Sequence, residues 1–482
     1  MWTAIVYGII AALIAGAIVH LIFEKRTDDA SKKISLRELV VGAVVIVCII
    51  APATGGVAWL FIKNDLLTFH ESLNGWESAA HVEKITCSRD GPCWHEYDCD
   101  PYLVPEEYEC GTMEKPQTCT HMVTKYHSCP YVTHEYSYFV YTTVGNQTID
   151  THRFPNNPDQ HRYREYKSVP DSVAQRAGVG EPASWARVRD RLLVGKPEPV
   201  TARKSYTNYL LASDTHIFQA HSADIDTYRK LGLLPNLVSA GTGLHVATPH
   251  VFGVGEVQNL AEWTQALRYA NAVMAQRTAD VYVVLVNDAR IHRAPDEYAE
   301  AFRAHWFDTL SFERDALAKN AVVFILATED NKTIAWARAF TGMPVGNEWL
   351  PITDRDRMAG MELDPVRLLG GPTSTAKVFR SSTTVSVQGQ KQERSGYIED
   401  LLFGRVVPGK AFVRTRMNGV DGNAGFQYLE NSLKPTDRQL WGTFAIMFVL
   451  SFMLWVALVV YDDRYFEMQI GRFFKNIFRR YP

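Results

Sequence analysis

The chain has 482 residues, with 50 Lys and Arg against 53 Asp and Glu, and a formal net charge of −3 at pH 7. That balance excludes the strongly basic character expected of a nucleic-acid binder, and the length suffices for about two or three domains of ordinary size. Against this ordinary background stand three strongly apolar runs.

The first run, 2–23, is interrupted only by His20; the others are 39–62 and 441–461. Each offers about twenty apolar residues, enough for a helix to cross roughly 30 Å of hydrocarbon. The first lacks the basic start, short apolar core and small-residue cleavage site of a signal peptide. Three transmembrane helices are therefore expected. Between the first two lie Lys25, Arg26, Lys32, Lys33 and Arg37, and after the third come Arg464, Arg472, Lys475, Arg479 and Arg480. Both basic pieces should stay cytoplasmic. Two separate charge counts then agree on one topology: loop 24–38 and tail 462–482 inside, the amino terminus and 63–440 outside. In the tail, Phe466, Ile470, Phe473, Phe474 and Ile477 share a helical face among basic residues, which predicts a helix lying along the inner membrane surface.

An outer location decides how the cysteines are read. Cys48 sits alone within the second apolar run and reads as a small apolar packing residue. Cys87, Cys93, Cys99, Cys110, Cys119 and Cys129 cluster in one short segment, with no other cysteine after them. An even set at short spacings in an oxidising compartment predicts disulfides stapling a small module; spacing does not choose the pairing. Zinc would need CxxC pairs or closely spaced histidines, and neither is present. Within the same module, Tyr136 to Thr143 alternates as a strand, turns at Gly145-Asn146 and returns through "QTIDTHRF".

Residues 151–254 read as connections around a short helix near 184–193, with mixed helical periodicity before Gly232 and Pro235. From there the pattern sharpens. Leu260, Trp263, Leu267, Ala270 and Met274 predict an amphipathic helix over 256–277. "VYVVLV" (281–286) and "AVVFILAT" (321–328) suit strands buried on both faces. Pro295 opens a second helix, and "TIAWARAF" (333–340) alternates like an antiparallel edge strand with one wet face.

These stretches, "DVYVVLVND", "EYAEAFRAHWF" and "KNAVVFILATEDNKTIAWARAFTG", resemble the TPM domain, an extracytoplasmic, membrane-tethered α/β domain of thylakoid photosystem-repair proteins and many bacterial membrane proteins. The likeness covers about 255–345, with "GFQYLENSLKPT" (425–436) in the place of a last helix. It departs from the family where "HVFGVGEVQNL" replaces an Asp-rich start and where 345–395 reads as an insertion. The resemblance implies an α/β sandwich that assists assembly or repair of membrane complexes, with calcium binding or weak phosphatase activity in some members.

No motif for catalysis is complete. "GGPTSTAK" lacks the ending of a phosphate loop, the glycines of "SAGTGLHVATPHVFGVG" have no strand–helix context, and neither GxSxG nor HExxH occurs. What remains is acids in presumed loops: Asp354 and Asp356 in "ITDRDRMAG", Asp421 and Asn423 in "NGVDGNAG". Hard oxygens two apart suit calcium, although neither stretch completes an EF-hand. Asn287 and Asp288 follow one buried strand, and Glu329, Asp330 and Asn331 follow its neighbour, where ligands of open α/β sheets bind; Asp330 and Asn331 equally suit a hairpin turn. Asp224 and Asp226 read as a solvated helix face.

The expected architecture is a membrane protein with three transmembrane helices and an α+β or α/β ectodomain. Its segments are helix 1–23, loop 24–38, helix 39–62, a disulfide-rich β module at 63–150, a connecting region at 151–254, a TPM-like α/β sandwich with insertion at 255–440, helix 441–461 and a basic tail at 462–482. The expected function is non-catalytic: binding or helping to assemble other membrane or surface proteins. The expected partners are the lipid bilayer and another such protein or a second copy, and the only cofactor the acids suit is calcium, at Asp288, Asp354 and Asp356. The alternatives are a metal-dependent phosphatase-like hydrolase using those acids, and a structural component of a surface or virion membrane.

Overall fold

The computed structural model describes residues 2–26, 44–85, 93–110, 117–133, 135–151, 181–213, 222–238, 250–417 and 425–460. In chain order the elements are helix α1 (Trp2–Arg26), a π-helical turn (Ile46–Ile50) leading into α2 (Ala51–Leu67), and strands β1 (Thr68–Ile85), β2 (Cys93–Glu109), β3 (Thr118–Thr133), β4 (Glu135–Thr142) and β5 (Asn146–Thr151). There follow α3 (Ala183–Leu193), β6 (Pro199–Thr207), α4 (Tyr209–Ala212), α5 (Ser222–Lys230), β7 (Val251–Gly255), α6 (Leu260–Met274), β8 (Asp280–Asn287), α7 (Pro295–Trp306), α8 (Thr309–Phe312), β9 (Ala321–Ala327) and β10 (Trp336–Thr341). The chain ends with α9 (Leu350–Met358), α10 (Pro365–Leu369), β11 (Lys377–Arg380), β12 (Thr384–Gln388), α11 (Tyr397–Leu402), a 3-10 turn (Gln427–Ser432) and α12 (Asp437–Val460). It forms two compact units.

One unit gathers 1–69, 205–220 and 416–482. It holds three helices long and apolar enough to cross a membrane, over Thr3–Ile22, Val47–Leu67 and Asp437–Val456. Small residues let them approach, as is usual where apolar burial gives no drive between helices. Ala4, Gly8, Ala12 and Gly16 recur every fourth residue of α1, and the two alanines are buried. A β-carbon at Gly8 would meet Met447, and one at Gly16 would come within 2.9 Å of Trp455 Nε1. Partners that rise together along both helices make α1 and α12 parallel. Gly55 of α2 faces Ile5 while Ala51 packs with Ala11, so α2 runs the opposite way. At the end of α2, Leu67, Tyr209 and Leu433 form a small core, and Lys63 pairs with Glu430. Cys48, expected to pack inside, is exposed on the π-helical turn.

The other unit gathers 70–204 and 221–415. Its four-stranded sheet has the order β10-β9-β8-β7, with β7, β8 and β9 parallel and β10 antiparallel. Both faces are covered, which is why β8 and β9 are continuously apolar. On one face Val281, Val283, Leu285, Val322, Phe324 and Leu326 meet α6, α9, α10 and α11. On the other, Tyr282 and Phe252 meet Trp306 of α7, and Phe340 meets Phe302. The expected wet face of β10 is absent: only Arg338 of its six residues escapes burial, because α7 and α9 cover both sides. Strand β7 lies in "HVFGVGEVQNL", where its glycines masked the pattern. Gly255 has φ +78°, and a β-carbon there would lie 2.1 Å from the Asn287 carbonyl oxygen.

A second sheet has the order β11-β12-β1-β4-β5, with β6 also pairing β1. It draws strands from all three segments that the sequence separates: the β11–β12 hairpin of the presumed insertion pairs with β1 at Ala79 to His81. Helix α3, where expected, packs Trp185, Val188 and Leu192 on this sheet, and the indole donates to the carbonyls of His81 and Phe139 at 3.2 and 3.1 Å. The β4–β5 hairpin also matches expectation. The proposed last helix at 425–436 is instead a 3-10 turn, and it belongs to the unit of apolar helices. Residues 27–43, which include most of the loop expected to be cytoplasmic, and the tail expected to be an amphipathic helix lie outside the described residues.

Candidate functional site

The parallel sheet places three loops at its carboxyl end, and the acids noted there are held tightly. Asp288 receives Arg290 on both oxygens, Nε at 2.9 Å and Nη2 at 2.6 Å, with the Arg290 amide at 2.9 Å. The guanidinium contact holds its carboxyl below the ordinary range. Asp330 accepts the amides of Thr333 and Lys332, each at 2.8 Å, which with the Thr333 and Thr328 hydroxyls lowers its pKa to about 2. Asn287 and Asn331 both donate to the Glu256 carbonyl, at 3.0 and 3.1 Å, tying the three loops together. These contacts suit Asp330 and Asn331 as hairpin residues.

Asp354 and Asp356 lie on helix α9, not in a loop. The helix buries Leu350, Asp354 and Met358, one turn apart, so Asp354 points into the core and is 0% exposed. Asp356, two residues on, is exposed and pairs with Arg355 at 2.9 Å. Positions two apart lie on different faces of a helix, so the pair does not form a joint ligand set. No described residue donates a hydrogen bond to either Asp354 oxygen. Burial pushes its carboxyl well above the carboxylate range, opposed only by Arg338. Among the described residues, no three His, Cys, Asp or Glu side chains gather as a metal site requires. Asp421 and Asn423 lie outside the described residues, and Asp226 is on the exposed side of α5.

A cleft of about 190 Å³ runs along β10 between α7 and α9, lined by Asp296, Arg303, Arg338, Phe340, Ile352 and Arg355. Its arginines are already engaged: Arg338 with Asp296 at 2.6 Å, Arg303 with Glu300, and Arg355 with Asp356. Sequence reading also passed over a buried polar seam between the two sheets. Thr201 donates to Asn74 and Asn74 to Asp280, each at 2.7 Å; His250 Nε2 lies 2.9 Å from Asp280 Oδ1 and stacks on Tyr282 at 4.0 Å. Its members come from four separate strands and loops, so no local pattern marks them.

The cysteines sit on a different element. Strands β2 and β3 form a long antiparallel ribbon that is a sheet by itself. Cys110 and Cys119 close its distal end as a disulfide, with Cα atoms 5.8 Å apart, and Cys129 is buried and disulfide-bonded. Cys87 and the side chains of Cys93 and Cys99 lie outside the described residues. The expected stapling is therefore present in part. A two-stranded sheet has marginal stability in water, which gives the staple its physical role.

No family model matches the chain, and neither a search of curated proteins nor one of solved structures returns a match.

Proposed function

We propose that the protein is anchored by three membrane-spanning helices and presents its second unit outside the cell, as a non-catalytic, TPM-like module that binds or helps assemble other membrane or surface proteins. The topology is supported by helix direction. Because α1 and α12 are parallel and α2 opposes them, the start of α1, the end of α2 and the start of α12 share one end of the bundle. The basic segments 24–38 and 462–482 then fall together at the other end, which the positive-inside rule assigns to the cytoplasm.

The binding role rests on one observation, the exposed apolar side chains Leu103, Met122 and Tyr126 on the ribbon β2–β3. Intact protein, extracted in mild detergent from its native membrane and analysed by mass spectrometry, should retain a stoichiometric partner through washing. Hydrolysis of a generic phosphate ester by the purified protein, abolished in Asp288→Ala, would instead establish the phosphatase reading.

A further inference from the structure

The register of the ribbon sorts its side chains by face. Residues directly opposite share a face, so Pro101 with Tyr126, Leu103 with Thr124 and Pro105 with Met122 build one surface. All six are exposed, Leu103 at 61%, Met122 at 57% and Tyr126 at 53%. On the opposite face, also exposed, side chains pair with one another: Lys125 with Glu106 at 2.8 Å, Tyr102 with His127 and Tyr108 with His121.

The prolines limit how this surface can be used. Proline has no N–H, so Pro101 and Pro105 must sit where the backbone nitrogen points away from β3. They remove two of the outward donors that another strand would need along β2, as protected sheet edges do. Contact through the face remains open while strand addition at that edge is weakened.

Charge narrows the occupant. The two strands carry Glu96, Asp98, Asp100, Glu106, Glu107 and Glu109 against Lys125 alone, and Glu107 and Glu109 continue the apolar face distally. A second copy would bring the same acids, and an anionic lipid surface would repel them.

Resting on the binding role proposed above, we infer that the Pro101–Leu103–Pro105–Met122–Tyr126 face docks into an apolar socket, rimmed by Lys or Arg, on a different protein.

The test uses the full-length protein in its native membrane, with a photo-crosslinking phenylalanine derivative at Leu103, Met122 or, as the opposite-face control, Tyr102. Leu103 and Met122 should give one common adduct to another protein, with little from Tyr102. Glu107→Lys with Glu109→Lys should cut that adduct about tenfold or more, as reversal of a complementary rim predicts. Non-reducing peptide mapping of the Cys110–Cys119 bond confirms that each variant keeps its ribbon. Adducts containing only this chain's own peptides, adducts to lipid, equal yield from Tyr102, or yield unchanged by the charge reversal would each overturn the assignment. If the ribbon forms no adduct while the intact protein still co-purifies with a stoichiometric partner, the docking face is wrong and the wider binding role stands.

Discussion

At the scale of single residues, two buried ionisable groups of the sandwich oppose one another in pH. Asp354 keeps its proton in the folded protein, because burial raises its pKa, whereas an unfolded aspartate loses it near pH 4. The folded state therefore binds more protons above that point, and stability falls as pH rises towards the folded pKa. His305 has the reverse sign. Burial and then Arg229 lower its pKa to about 4, so between about 6.5 and 4 the unfolded chain takes up a proton that the folded one refuses. Stability from this group is lost as pH falls through that window. Thermal midpoints followed by tryptophan fluorescence should thus drop less on the alkaline side in Asp354→Asn and less on the acid side in His305→Gln. A third residue tests a charge pair. Glu77 is 2% exposed and is held by Arg191 and by the Glu198 amide at 3.1 Å, with burial raising its pKa against the Arg191 contact. Arg191→Ala leaves that carboxylate buried without its counter-charge and should cost about 3–5 kcal/mol at neutral pH, read as a lowered denaturation midpoint. Asp354 also shows why its site was misread from sequence. In "LPITDRDRM" the position between the two buried apolar residues is a carboxylate, so the helical period is broken where it matters and the acids resemble loop ligands.

Elements were legible where their burial is uniform and obscure where pairing is distant. Strands β8 and β9, helices α6 and α7 and the β4–β5 hairpin follow from local runs of apolar or alternating residues. Strand β1, with "TFHESLNGWESAAHVEKI", has no clean alternation; its central Asn74 and Glu77 are buried, accepting from Thr201 of β6 and Arg191 of α3, with Asn74 donating to Asp280 of β8. Its partner β12 lies about three hundred residues away along the chain, and no sequence period encodes that meeting. The cysteine ribbon was legible as a stapled module but not as a sheet of its own. Replacing Cys110 and Cys119 with serine removes a closed loop and should cost about 2–3 kcal/mol of local stability. Amide hydrogen exchange should rise across β2 and β3, with β8 and β9 unchanged.

For the whole molecule, the three apolar helices were legible from length and hydropathy alone, whereas their packing partners were not. Cysteines introduced one at a time at Ser31 and Ser395, in a Cys48→Ser chain whose own labelling is the baseline for its six remaining cysteines, test the proposed topology: an impermeant thiol reagent applied to intact cells should label Ser395→Cys above that baseline and leave Ser31→Cys at it until the membrane is opened. Labelling of Ser31→Cys alone would invert the protein. The small-residue ridge of α1 adds a consequence in time. Its partners Met447 and Trp455 lie on α12, more than four hundred residues further along the chain, so the contacts at Gly8 and Gly16 form only once the intervening residues have been synthesised. A chain halted before α12 keeps the contact of Gly55 with Ile5 and lacks those of Gly8 with Met447 and Gly16 with Trp455, so the three-helix unit closes only after the residues between α2 and α12 have been made.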